Sequence, residues 1–115
     1  MRSDIVFQTI LQSIAPLNVY EKRRRSDDYC ELVFLNVELS TWNNIFTTAL
    51  GQAVKPAHQK PDEQALRIAK DVGGISFNQT LFYRDFEDGV ILVMFWPWQD
   101  GARTTLKMMR LPKKC

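Results

Sequence analysis

The sequence contains few of the residues from which catalytic and metal sites are usually built. It has one histidine, His58, and two cysteines, Cys30 and Cys115, in 115 residues. One histidine and two distant cysteines do not supply the ligand spacing of a zinc site. The pair Gly73-Gly74 lacks the spacing of a phosphate or dinucleotide loop. We therefore expect no metal and no cofactor, and we favour a protein that is not an enzyme.

The histidine and the cysteines have no recognisable catalytic arrangement around them. His58 lies in a loop at residues 55–60, and a general base needs an orienting partner that the sequence does not show. Cys30 lies in an apolar run and is predicted to be a buried thiol, whereas a nucleophilic cysteine must be accessible. Cys115 follows a polar tail and is predicted to be free and exposed. Unpaired thiols suit a reducing compartment, so we expect a cytoplasmic protein.

Long hydrophobic runs are also missing. The longest run, residues 90–98, has nine residues, whereas a membrane-spanning helix needs about 20. The apolar N-terminal residues are interrupted by Gln8 and Thr9, and no small-residue cleavage site of a secretory signal follows them. The sequence therefore predicts no membrane association and no secretion.

The chain has no strong excess of charge of one sign. Its net charge is +2, while a dedicated nucleic-acid-binding protein carries a much larger positive excess. One basic run is present, and it consists of Lys22, Arg23, Arg24 and Arg25. These arginines are candidates for phosphate contacts, but Asp27 and Asp28 follow them, and such runs usually form a solvated edge or loop.

The overall composition is that of an ordinary globular domain. Hydrophobic residues make up 45% and charged residues 24% of the chain, as is typical of folded domains. A chain of this length buries about two-thirds of the surface that its unfolded form exposes. We interpret residues 1–115 as a single α+β domain in which residues 112–115 form a polar tail.

Apolar residues at helical spacing predict helices in three places. The first covers residues 3–15, with Ser3 as its cap and Pro16 at its end. The second begins at Ser40 and is stopped by Pro56. The third begins at Pro61 and ends at the glycine pair 73–74, because glycine accepts the left-handed conformation that follows many helices.

Alternating apolar residues predict the strands. Residues 29–39 form one strand, and residues 18–24 form a short edge strand whose charges discourage pairing with other chains. The hairpin signals Asp88-Gly89 and Asp100-Gly101 divide the last third into strands at 79–87, 90–98 and 102–111. The predicted architecture is α+β, with one four- or five-stranded antiparallel sheet that ends in a three-stranded meander. About three helices pack mainly on one face.

If both Asp-Gly pairs form two-residue turns, the register of the meander follows. In the first hairpin Phe86 faces Ile91, Arg84 faces Val93, and Phe82 faces Phe95. In the second hairpin Phe95 faces Leu106 and Val93 faces Met108. The core face then carries Phe82, Phe86, Ile91, Val93, Phe95, Leu106 and Met108.

The opposite face of the meander is too apolar to be left bare in water. Leu92, Met94 and Trp96 follow one another along its central strand, with Tyr83 beside them and Lys107 on an outer strand. Three kinds of cover are open. A helix of the same chain, for which the N-terminal helix is the first choice, a second subunit or a ligand would each satisfy the pattern.

The segment 96–101 is the most unusual part of the chain. Trp96 and Trp98 flank Pro97, which cannot donate to the strand ladder, and they should point to the same face. The two rings could clamp a planar or cationic ligand, anchor a protein interface, or close the rim of the core. The candidates for ligand or interface contacts are Tyr83, Leu92, Met94, Trp96, Trp98, Gln99, Asp100 and Lys107.

The sequence does not identify a function, but it ranks three. The leading hypothesis is a non-enzymatic binding or assembly module that forms a homodimer through the apolar sheet face. The alternative is a small-molecule-binding protein or small enzyme with a pocket between sheet and helices near Trp96 and Trp98, with Gln99, Asp100 and either His58 or Lys55 beside it. A weaker alternative is nucleic-acid binding through residues 22–25.

Overall fold

A computed structural model describes residues 1–113. The helices are α1 (Ser3–Ile14), α2 (Leu39–Leu50) and α3 (Glu63–Ala69), with single 3-10 turns at Asn36–Glu38 and Lys70–Val72. The strands are β1 (Glu21–Arg25), β2 (Tyr29–Leu35), β3 (Thr80–Asp85), β4 (Gly89–Pro97) and β5 (Arg103–Pro112). Within residues 1–113, no helix is both long and apolar enough to cross a membrane.

The strands form one antiparallel sheet in the order β1-β2-β5-β4-β3. This confirms the predicted α+β fold and its terminal meander. The strand β1 lies at one edge, as expected for the charged run, although it begins at Glu21 and not at residue 18. All five of its residues are charged and exposed. Exposed charges are one way in which natural edge strands avoid pairing with other chains.

The first face of the sheet carries the larger core, against which α1 and α2 pack. Its centre is aromatic: Phe34 stacks on Trp42 at 4.9 Å between ring centroids, and Phe95 contacts Phe34, Phe46 and Phe82 edge-on at 5.4–5.7 Å. Full burial of one such side chain stabilises the fold by about 1.5–3 kcal/mol. This aromatic cluster therefore contributes much of the energy that joins α2 to the sheet.

The second face is covered in part by α3, not by the N-terminal helix. Ala65 and Ala69 of α3 are fully buried in one cluster with Leu81, Leu92 and Met94. The expectation for the N-terminal helix was wrong because α1 presents large side chains, such as Phe7, to the aromatic first face.

The register of the first hairpin differs from the prediction by two residues. Phe82 pairs with Val93, and Arg84 pairs with Ile91. The Phe86 N–H donates to the Gly89 carbonyl at 2.7 Å, so the turn residues are 87 and 88. A shift of two residues preserves the faces, and all seven side chains predicted for the core face lie in the first-face core.

The hairpin departs from an Asp-Gly turn because both residues have other roles. The Asp88 carboxylate accepts a hydrogen bond at 2.8 Å from the Ser3 backbone N–H at the start of α1. Gly89 begins β4, and a Cβ there would collide with the Leu111 carbonyl oxygen. The second hairpin has the predicted register, in which Phe95 pairs with Leu106 and Val93 pairs with Met108.

Several boundaries also differ from the prediction. The strand β2 ends at Leu35, and Val37, predicted to lie in that strand, is 88% exposed in a 3-10 turn. The helix α2 ends at Leu50, well before Pro56, because Gly51 leaves the helical conformation with φ of 85°.

At the C-terminal end, β5 extends to Pro112, and the Lys113 N–H donates to the Asp88 carbonyl. Residues 112 and 113 of the predicted polar tail are therefore bound to the rest of the chain, and residues 114–115 lie outside the described residues. The predicted exposed thiol of Cys115 lies outside the described residues. Cys30 is a buried free thiol, as predicted.

Candidate binding surface

The end of the second face nearest β1 carries a group of aromatic and arginine side chains. We call Tyr20, Arg23, Trp98, Arg103 and Thr105 the Trp98 surface. Trp98 directly follows β4, Tyr20 directly precedes β1, and Arg103 begins β5. The pairing of β1, β2 and β5 brings these distant parts of the chain together. Trp98 is partly exposed and Tyr20 is 51% exposed, so the group is open to solvent.

Arg103 is the centre of this surface. Its guanidinium carbon lies 4.3 Å from the centroid of the Trp98 ring and 5.0 Å from that of Tyr20. Its Nη1 donates to the Tyr20 hydroxyl at 2.7 Å. The Asp100 carboxylate accepts from its Nε at 2.7 Å and lies 2.6 Å from its Nη2. A guanidinium bound on so many sides has a defined position, which is what a recognition surface requires.

Asp100 holds the turn that positions Arg103. Its carboxylate also accepts hydrogen bonds from the backbone N–H groups of Ala102 at 2.9 Å and Arg103 at 3.2 Å. The hydrogen bond from Ala102 is the main reason why the pKa of Asp100 lies below its usual value. The carboxylate therefore stays ionised and acts on the surface through Arg103.

The Trp98 ring is fixed at its polar end. Its Nε1 donates to the Thr105 hydroxyl at 2.8 Å. Tyr20 approaches the ring edge-on, with 6.5 Å between centroids, and the Arg23 guanidinium lies 5.6 Å from the ring centroid. Because the indole N–H is already satisfied, the ring has apolar area to offer and needs no further polar partner.

The charges around Trp98 are balanced. Arg23 pairs with Glu21 at 2.7 Å and with Glu31 at 3.5 Å. The hydrogen bond to Glu21 raises the pKa of Arg23, and the one to Asp100 raises the pKa of Arg103. Both guanidiniums are therefore always charged, but each is already matched by carboxylates. The surface is rich in charge of both signs and lacks the positive excess that phosphate binding needs.

Trp96 has different neighbours from Trp98. The Lys107 ammonium lies 3.8 Å from the centroid of its ring. The ring lies so close to Gly73 that a Cβ there would stand 3.0 Å from its edge. Its Nε1 is buried and has no hydrogen-bond partner within the described part of the chain. The two tryptophans thus occupy separate environments.

The other predicted site residues are dispersed. Leu92 and Met94 are buried beneath α3, Tyr83 is half-buried in the same cluster, and Gln99 lies exposed in the 99–102 turn. The Arg24 guanidinium lies 5.1 Å from the centroid of the Tyr29 ring.

Two predicted loop residues pack against residues 76–79 and not against Trp98. The backbone N–H of His58 donates to the Phe77 carbonyl at 2.9 Å, and its ring lies 6.1 Å from that of Phe77. The buried Lys55 ammonium donates to the carbonyls of Phe77 and Gln79 at 2.6 and 2.5 Å. These contacts give Lys55 a structural role in joining two loops.

Sequence reasoning missed Tyr20, Arg103 and Thr105 as members of the surface. Tyr20 is separated from Arg103 by 83 residues, so no local spacing links them. The available signal was Asp100 preceding Arg103 by three residues across a turn, which is the spacing of their ion pair.

The Trp98 surface is the main structural clue to the function of this protein. Among residues 1–113, no three His, Cys, Asp or Glu side chains come together in a way that could hold a metal ion. Comparisons of the chain with protein-family models, with curated proteins and with solved structures find no match.

Proposed function

We propose that this protein is a non-enzymatic assembly module that forms a homodimer through the Trp98 surface. The observation that carries the proposal is the ordered group of Tyr20, Trp98 and Arg103, which is partly exposed at one end of the sheet. Tryptophan, tyrosine and arginine supply most of the binding energy at protein interfaces. Their fixed positions reduce the side-chain entropy that is lost on binding.

A second copy of the chain is the partner that fits the charges best. In a two-fold dimer a surface faces itself, so a surface with one sign of charge would repel its copy. Here Arg23 and Arg103 stand beside Glu21, Glu31 and Asp100. Such an arrangement allows a cation of one copy to face a carboxylate of the other.

The apolar stripe on which the dimer hypothesis first rested is not the proposed contact. Leu92 and Met94 are 2% and 0% exposed because α3 covers them. We assign the dimer contact to the side chains of the Trp98 surface, which lie outside the region that α3 covers.

Light scattering coupled to size exclusion tests the proposal. We expect the mass to rise with concentration from the monomer value of 13.4 kDa towards twice that value. Trp98→Ala should weaken the dimer at least tenfold, since a central tryptophan contributes about 2 kcal/mol or more. Phe77→Ala is the matched control because Phe77 is an aromatic residue that is 57% exposed elsewhere. A monomer at every concentration would overturn the proposal, as would equal effects of the two variants.

The cellular setting belongs to the same proposal. A buried, unpaired cysteine at position 30 suits a compartment that keeps thiols reduced. We therefore assign the protein to the cytoplasm. Thiol labelling after rapid acid quenching and unfolding of the protein tests this, since an oxidised Cys30 would contradict it.

A further inference from the structure

A groove of about 310 Å³ lies between the C-terminal end of α1 and the edge strand β1. We call it the β1 groove. It does not include Trp98, and Arg23 is the one residue that it shares with the Trp98 surface. Its lining combines apolar side chains on the inner side with the basic run at residues 22–25 on the outer side. This volume is at the lower end of the range for small-molecule sites.

The inner side of the β1 groove is apolar and uncharged. It is formed by Leu11 and Ile14 of α1, by Val19, and by Cys30 and Leu32 of β2. Burial raises the pKa of the Cys30 thiol, so this side chain remains neutral. Ala15, at the mouth, is exposed and Val19 is only half-buried. The other lining residues, Leu11, Ile14, Cys30 and Leu32, are only 3–5% exposed, so a hydrocarbon chain would enter the groove past Ala15 and Val19.

The outer side of the β1 groove carries positive charge that is not neutralised. Within residues 1–113, Lys22 and Arg25 have no carboxylate within ion-pair distance, unlike Arg23, which is held by Glu21 and Glu31. Glu31 also lines the groove but is already bound by Arg23 and by the Tyr29 hydroxyl at 2.7 Å. The groove thus offers Lys22 and Arg25 as cations without a partner beside an apolar lining, while Arg24, which also lines the groove, lies against the Tyr29 ring.

We propose that the β1 groove binds an anionic amphiphile with a single alkyl chain. Its carboxylate or phosphate head lies between Lys22 and Arg25, and its chain lies along Leu11, Ile14 and Val19. The pairing of charge with apolar surface selects this class. A free inorganic anion would leave the lining unused, and an uncharged lipid would leave the cations unpaired.

Calorimetric titration with dodecyl phosphate, below its critical micelle concentration, tests the proposal. We expect one molecule to bind per chain. Inorganic phosphate has the same head without the chain, and dodecyl maltoside has the same chain with a neutral head. Each should bind at least tenfold more weakly. Equal binding of inorganic phosphate, equal binding of the maltoside, or no binding of dodecyl phosphate would overturn the proposal.

Variants locate the site. Lys22→Glu combined with Arg25→Glu should weaken dodecyl phosphate binding at least tenfold, and Ala15→Trp should do the same by filling the mouth. Arg67→Glu is the matched control, because Arg67 is an exposed arginine on α3 and its loss should change nothing. Circular dichroism checks folding, and Lys22→Gln with Arg25→Gln replaces the charge reversal if that variant misfolds.

Unchanged binding in both groove variants would contradict the assignment. Binding to anionic vesicles without binding of monomeric dodecyl phosphate would also contradict it and would indicate a membrane surface instead. Trp98→Ala should not affect dodecyl phosphate binding. The groove and the dimer surface can therefore fail independently.

Discussion

The Arg103 guanidinium contacts the rings of both Tyr20 and Trp98, and it joins the edge of the sheet to the β4–β5 hairpin. This contact makes one ordered surface from segments that lie far apart in the chain. The planar guanidinium of an arginine can stack on aromatic rings and donate hydrogen bonds at the same time. Arg103 should therefore be more important for association than its charge alone suggests.

Substitutions of Arg103 test whether its charge or the shape of its guanidinium matters for dimerisation. Arg103→Lys keeps the charge but loses the hydrogen bonds to Tyr20 and Asp100, so it should weaken the dimer nearly as much as Arg103→Met. We expect at least a tenfold loss in sedimentation equilibrium for both. Chemical denaturation should show little change in the stability of the monomer, because the side chain is partly exposed. Full dimerisation of the lysine variant would show that only charge matters.

The carboxylate of Asp88 caps α1 from the other end of the chain. It accepts the hydrogen bond from the Ser3 backbone N–H, a donor that no side chain at the preceding Arg2 satisfies. Asp88→Ala should lower the melting temperature because the start of α1 loses its cap. Glu87→Ala in the same turn should not lower it. Hydrogen exchange should show faster exchange at Ser3 in the first variant only.

The same contact sets a pH dependence. The hydrogen bond from Ser3 is the main cause of the lowered pKa of Asp88. A carboxyl group whose pKa is depressed by folding stabilises the protein above its unfolded pKa, which is about 3.9, and loses that effect as pH falls. The difference in stability between the wild type and Asp88→Asn should therefore shrink below about pH 4. A difference that grows on acidification would be inconsistent with this cap.

The Tyr29 hydroxyl should lose its proton only at high pH. Burial, followed by the hydrogen bond to Glu31, raises the pKa of its hydroxyl to about 12. The difference in absorbance between the wild type and Tyr29→Phe should reveal a phenolate that forms near this pH. Because the folded pKa is raised, the contribution to stability is complete below about pH 10 and disappears as pH rises towards 12. A midpoint near 10 would contradict both the burial of the Tyr29 hydroxyl and its contact with Glu31.

Lys55 should be important for stability and unimportant for association. Its buried ammonium serves two backbone carbonyls, those of Phe77 and Gln79. Loss of a hydrogen bond from a charged donor costs about 1.5–3 kcal/mol. Lys55→Ala should therefore lower the free energy of unfolding by several kcal/mol in urea titration. Lys60→Ala, an exposed position in the same loop, should have no comparable effect.

Local patterns in the sequence were sufficient for the elements and for the faces of the meander. Apolar residues at spacing 2 placed Phe82, Val93 and Phe95 on one face, and this assignment survived a register shift because that shift was even. The second Asp-Gly pair correctly predicted the register of β4 and β5. These properties depend on neighbouring residues, so spacing along the chain reports them.

Long-range partners were not predictable in the same way. The first turn moved because Asp88 bonds to Ser3, 85 residues away. The cover over Leu92 and Met94 was assigned to the wrong helix, because alternation shows that a face is apolar but not which element packs on it. Tyr20 joined Arg103 only through the pairing of β1, β2 and β5. Spacing alone carries no information about such contacts.

The most direct test of the proposed assembly is to map the contact itself by NMR at increasing protein concentration. The indole N–H signal of Trp98 and the backbone signals of Tyr20 and Arg103 should shift together, while those of the exposed Val37 in its 3-10 turn should not. Trp98→Ala should abolish the concentration dependence. Signals that do not change with concentration, or shifts confined to the region of Val37, would contradict self-association through the Trp98 surface.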